Sequence, residues 1–102
     1  MIPIDNLYKG AKPTENNEIF STLFHNETLK IESIHSNMKR PGELYDQDQD
    51  EWVLLLEGEA QLEIADEIRN ISPGDYLFLP KHTLHRVIFT SENALWLCIF
   101  SS

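Results

Sequence analysis

Glu51 and His85 are the side chains best suited to chemistry, and each borders an apolar run bounded by turn residues. Glu51 opens the run Glu51-Trp52-Val53-Leu54-Leu55-Leu56-Glu57-Gly58. His85 follows Pro73-Gly74-Asp75-Tyr76-Leu77-Phe78-Leu79-Pro80, with His82 between. A carboxylate and an imidazole brought together can exchange a proton or hold a divalent cation. Ahead of Glu51, Asp46, Asp48 and Asp50 alternate with Tyr45, Gln47 and Gln49. Side chains of an extended segment alternate between two faces. If Glu51 points into a core, then Tyr45, Gln47 and Gln49 point there too, with Val53 and Leu55. The three aspartates then form a solvated set. A buried carboxylate needs a partner, and a metal ion, Arg86 or His85 would serve.

His82 is open to three roles: a second ligand, a proton shuttle or an exposed loop residue. Tyr45 could orient a substrate or pack at the rim. His25 and His35 lie outside these segments; His35 is the better placed, sharing a face with Ile31 and Ser33 of a strand that could line a pocket. Trp52 takes the face opposite Glu51 and needs cover from an N-terminal arm or a second subunit. Trp96 could do the same or close one end of the fold.

The elements that must position these residues are short strands. Leu29–Ser36 reads as a strand, and Pro41-Gly42 as a turn. Residues 44–57 read as a strand entered through the polar arm. Ala60–Ile64 and Ile68–Ile71 alternate at period two, separated by a turn at Asp66-Glu67. Tyr76–Leu79, Arg86–Thr90 and Leu95–Phe100 follow, punctuated by Pro73-Gly74-Asp75 and Ser91-Glu92-Asn93. Residues 1–28 form an irregular arm with a helical turn around Glu18–Leu23, and residues 29–102 a barrel, in one structural domain. Seven or eight strands at this spacing predict an all-β sandwich or barrel.

Composition narrows the function classes. The chain has 102 residues, enough for one core. Its net charge of −9 argues against nucleic acid, whose binding needs Lys and Arg against phosphates. No apolar run approaches the roughly 20 residues of a membrane span. The first residues lack the pattern of a signal peptide, and the lone Cys98 in an apolar run reads as a buried thiol. A cytoplasmic protein is the expectation.

Two segments resemble a known family. Gly42, the polar arm and Glu51-(six residues)-Gly58 resemble the first cupin motif. Gly74-Asp75-(four residues)-Pro80-x-His82-x-x-His85 resembles the second. The resemblance covers residues 29–100 and implies a small antiparallel jelly-roll β-barrel with its site inside. In typical cupins the first motif supplies two histidines and a glutamate, and the second a further histidine. Carried over, Glu51 takes the glutamate position and His85 the second-motif histidine. Tyr45 and Gln47 fall on the first-motif histidine positions, or Leu44 and Asp46 under looser spacing, so both histidines are replaced. The resemblance and the parity of the arm together imply a ligand pocket of Tyr45, Gln47, Gln49, Glu51 and His85, with Gln47, Glu51 and His85 as metal ligands. Glu51, His85, His82 and Tyr45 are the catalytic candidates. Such a mixed set suits Mn²⁺ or Ca²⁺, or Zn²⁺ and Ni²⁺ through His85, with less affinity than three histidines give. The functional expectation is a small-molecule-binding cupin, with a divalent metal as candidate cofactor and a homodimer as candidate assembly. The alternatives are a metal-free binding or sensing module and a dimeric structural domain without catalysis.

Overall fold

Turn residues divide the chain into eight strands in the computed structural model, which describes all residues, Met1–Ser102. They are β1 (Asn17–His25), β2 (Leu29–Asn37), β3 (Asp50–Glu57), β4 (Ala60–Ile64), β5 (Glu67–Ile71), β6 (Tyr76–Leu79), β7 (His85–Thr90) and β8 (Ala94–Ser101). Every pairing is antiparallel. One sheet runs β1-β2-β8-β3-β6 and the other β5-β4-β7. The sheets face each other as a jelly roll without closing into a continuous barrel. The all-β cupin-type expectation is met, and no helix is long and apolar enough to cross a membrane.

The expected helical turn at Glu18–Leu23 is instead the middle of β1. Its register runs from Asn17 opposite Asn37 to His25 opposite Lys30, with a bulge between Thr22 and Phe24. The open edge of β2 decides this: cross-strand hydrogen bonds and the pairing of Phe20 with Ile34 outweigh any local helical preference. The helical turn of the arm lies earlier, a 3-10 turn at Leu7–Lys9 whose Tyr8 N–H donates to the Asn6 side chain at 2.9 Å. The strand expected over 44–57 pairs regularly only from Asp50, so residues 44–49 are an extended arm outside the ladder. The turn expected at Asp66-Glu67 sits one residue earlier, with Ala65 and Asp66 at φ 48° and 70°. A two-residue hairpin of this twist needs both central residues left-handed.

Gly58 ends β3 at φ 84°, and a Cβ there would lie 2.7 Å from the Ala94 Cα. Both the backbone conformation and the close approach of β8 therefore demand glycine. The core between the sheets is built from Val53, Leu55, Leu62, Ile71, Leu79, Trp96, Cys98 and Phe100, with Ala60 and Ala94 among them. Along β8, Ala94, Trp96, Cys98 and Phe100 all face inward, so Trp96 is a core residue 3% exposed. Trp52 faces outward, as its parity predicts, and is covered within the chain by Tyr76, ring centroids 5.7 Å apart.

Candidate functional site

The packed interior stops short of one end of the fold, leaving a cavity of about 270 Å³ that opens to solvent. A volume just under the usual range for drug-sized ligands suits a small metabolite. Its floor is apolar: Val53, Leu62, Leu79, Val87, Trp96 and Phe100. Its polar wall is the arm preceding β3. Tyr45, Gln47, Gln49, Glu51 and His85 all line the cavity.

The arm keeps strand-like alternation without a ladder because the β6–β7 loop pins it. Tyr45 N–H donates to the His85 carbonyl at 2.8 Å, and His85 N–H returns the bond at 3.2 Å. His82 N–H donates to the Gln47 carbonyl, and Lys81 N–H to Asp50 Oδ1 at 2.9 Å. Asp46 and Asp48 point to solvent, and Asp50 serves as this latch. His82, left-handed at φ 64°, pairs with Asp46 Oδ1 at 2.8 Å where both side chains are exposed. It is therefore not among the residues lining the cavity.

Within the cavity, Glu51 is 6% exposed. Its Oε1 accepts from Gln47 Nε2 at 2.9 Å and lies 3.6 Å from His85 Nε2. The other ring nitrogen of His85, Nδ1, is 2.8 Å from the Thr83 carbonyl and donates to it, which turns Nε2 toward Glu51. Arg86, one of the partners considered for Glu51, points the other way and pairs with Glu63 at 2.8 Å. Tyr45 leans on His85, ring centroids 5.7 Å apart. Burial, followed by the charges of Glu18, Glu43, Glu32 and Glu51, raises the Tyr45 phenol above its ordinary range, so it stays a hydrogen-bond donor.

The opposite wall comes from β1 and β2, and the candidate residues read from the sequence include none of it. Glu18, Phe20, Lys30, Glu32 and Ile34 all line the cavity. Glu18 accepts from Ser36 Oγ across the strand pair. Burial raises the Glu18 carboxyl, and the Ser36 bond opposes that shift. Lys30 Nζ lies 3.4 Å from Glu32 Oε2 and 4.8 Å from the centroid of the Phe100 ring. The even residues of β2 therefore face in. His35 shares the opposite face with Ile31 and Ser33, which corrects the expectation that this face could line the pocket. It is buried under the N-terminal arm, with Nε2 3.1 Å from the Leu7 carbonyl. His25 is exposed at the end of β1. Alternation in Leu29–Ser36 was legible, but Lys30 and Glu32 look like the solvent face of a strand until β1 and the cavity are in place.

Cys98 also borders the cavity, between Glu32 and Val53 in the sheet register. Burial first, and the Glu51 charge second, push its thiol far above the ordinary range, which makes it a packing residue and no nucleophile. No group of three or more His, Cys, Asp or Glu side chains converges as a metal would need. The two strong donors are Glu51 and His85, and Gln47 turns its amide nitrogen to Glu51. This set does not fit a histidine-rich centre.

Comparison with known proteins agrees with this architecture. A protein of Ralstonia eutropha JMP134 described as a "putative mannose-6-phosphate isomerase" superposes with TM-score 0.82 at 34% identity, covering 98% of this chain and 99% of its own. KdgF from Halomonas sp. shares the fold at TM-score 0.81 and 19% identity, over 99% of this chain and 94% of its own. TT1209 from Thermus thermophilus does so at TM-score 0.82 and 20% identity, over 98% and 97%. No curated protein matches significantly. The Cupin domain family matches residues 33–100, a span that holds both motifs and every cavity-lining residue from Ile34 onward, and the chain belongs to the cupins.

Proposed function

We propose that this cupin binds a small polar metabolite between its sheets and acts on it through Glu51 and His85. The observation that carries the reading is the convergence of Tyr45, Gln47, Gln49, Glu51 and His85 on one open cavity with an apolar floor. Gln47 and Gln49 are the orienting groups, since amides donate and accept without adding charge. Glu51 and His85 are the acid–base pair: Nε2 and Oε1 stand 3.6 Å apart, beyond a direct hydrogen bond, with space at the cavity for a substrate hydroxyl beside them. Tyr45 lies next to His85 as a third proton donor. The name of the Ralstonia relative makes hexose-sized sugars the first class to screen.

A divalent ion held by Gln47, Glu51 and His85 is the second reading, favoured by the orientation of His85 Nε2 toward Glu51. When bound it would polarise a substrate oxygen. The reading also includes a homodimer, supported by exposed Leu23 and Phe24 on the edge strand β1, for which sedimentation is the check.

A thermal-shift and calorimetric screen of sugars and polyols, with and without chelator, tests the proposal. A ligand should bind the wild type and lose about tenfold or more in affinity on His85→Ala, as expected when a central hydrogen-bonding contact is lost. Unchanged binding by that variant rules the cavity out. Manganese or zinc should raise the melting temperature of the wild type and not of His85→Ala if the metal reading holds.

A further inference from the structure

The two walls of the cavity differ in what they present, and together they restrict the charge of the occupant. Three carboxylates line the space, Glu18, Glu32 and Glu51, against the single ammonium of Lys30 and no arginine. Lys30 is already committed to Glu32 and to the face of Phe100. In the sheet register Lys30, Phe100 and Glu51 are consecutive neighbours, so two strand spacings, about 10 Å, separate the Lys30 and Glu51 backbones. Lys30 makes its ion pair with Glu32 and not with Glu51 or Glu18. The raised carboxyl of Glu18 weakens the negative field when it is protonated.

Hydrogen-bonding capacity has the same bias. The carboxylates only accept, while the amides of Gln47 and Gln49 and the Tyr45 hydroxyl both donate and accept. An occupant must offer donors to the carboxylates. A hydroxyl group does so, and an ammonium adds donors together with the charge the walls lack. A phosphate or carboxylate brings acceptors only, and sets like charge against like charge in a partly desolvated space.

We infer that the cavity takes small hydroxylated molecules carrying a positive charge or none, amino sugars above neutral sugars, and excludes sugar phosphates. The inference rests on the cavity being the ligand site and narrows what that site accepts.

D-mannosamine, D-mannose and D-mannose 6-phosphate share one scaffold and differ in charge. Saturation-transfer NMR on the chelator-treated chain should rank them in that order, with about tenfold between amine and neutral sugar and no measurable binding of the phosphate. The double variant Glu18→Gln/Glu32→Gln should bring mannosamine down to the affinity of mannose while mannose itself is retained. If that variant fails to fold, Glu32→Gln alone, which keeps the Glu18–Ser36 bond, should reduce the amine preference. Equal or tighter binding of the phosphate, or no preference for the amine, overturns the charge inference and leaves the cavity as a ligand site. Absence of binding by all three sugars, or binding unaffected by His85→Ala, overturns both.

Discussion

The cavity has two walls of opposite character. On the side of β3 and β7, polar groups interlock: Gln47 donates to Glu51, His85 faces Glu51, and Thr83 orients His85. On the side of β1 and β2, Glu18 leans on one serine and Glu32 on one lysine, along the edge of the sheet. The first wall is built around a carboxylate almost wholly withdrawn from water. The second holds its Glu18 carboxyl half-buried and sets Glu32, 7% exposed, against Lys30. A buried charge needs an ionic or hydrogen-bonded partner, whereas a half-buried one can share its solvation with water. The interlocked wall is therefore where reacting groups would be held in fixed geometry, and the edge wall is where charge adjusts what enters.

Substitutions can break this contrast. The largest effect is expected for Gln47→Ala, which strips a donor from buried Glu51 and should cost about 1–3 kcal/mol in chemical denaturation. A loss well under that range would mean that the first wall is no more interlocked than the second. Ser36→Ala removes the donor to Glu18 from a fully buried position and should cost about 1 kcal/mol.

Glu18→Gln should act in the opposite direction. Burial raises the Glu18 carboxyl above 4.5, so the folded chain binds its proton more tightly than the unfolded chain. The stability tied to that proton is present below the ordinary value and is lost as pH rises through the raised one. The variant should thus match wild type near pH 4 and melt higher at pH 7, the gap widening between. Melting curves that stay parallel across that range would place Glu18 in water and dissolve the asymmetry. The smallest effect belongs outside the cavity: Asp46→Asn removes only the exposed pair with His82 and should change stability by no more than about 0.5 kcal/mol.

Glu51 and His85 were legible because motif spacing and strand parity both depend on short-range sequence. Parity also sorted Gln47 and Gln49 from the aspartates, and it held through 44–49 even though no ladder forms there. The strand pattern of residues 29–100 was legible for the same reason, as period-two alternation cut by Pro, Gly and Asn. What sequence could not supply was pairing. Glu18–Leu23 has no strong local preference, and it became a strand because β2 offered an unpaired edge. That pairing brought Glu18 into the cavity, while the parity of β2 turned His35 away from it to lie under the arm.

The sequence by itself determined an all-β cupin-type fold and one acid–imidazole pair, because alternation and turn chemistry are local properties. Only the tertiary structure decided that a second acidic wall faces that pair, that His82 stands outside, and that the Trp96 N–H is left without a partner. Those facts depend on which strands become neighbours, and strand neighbours are chosen by burial summed over the whole chain.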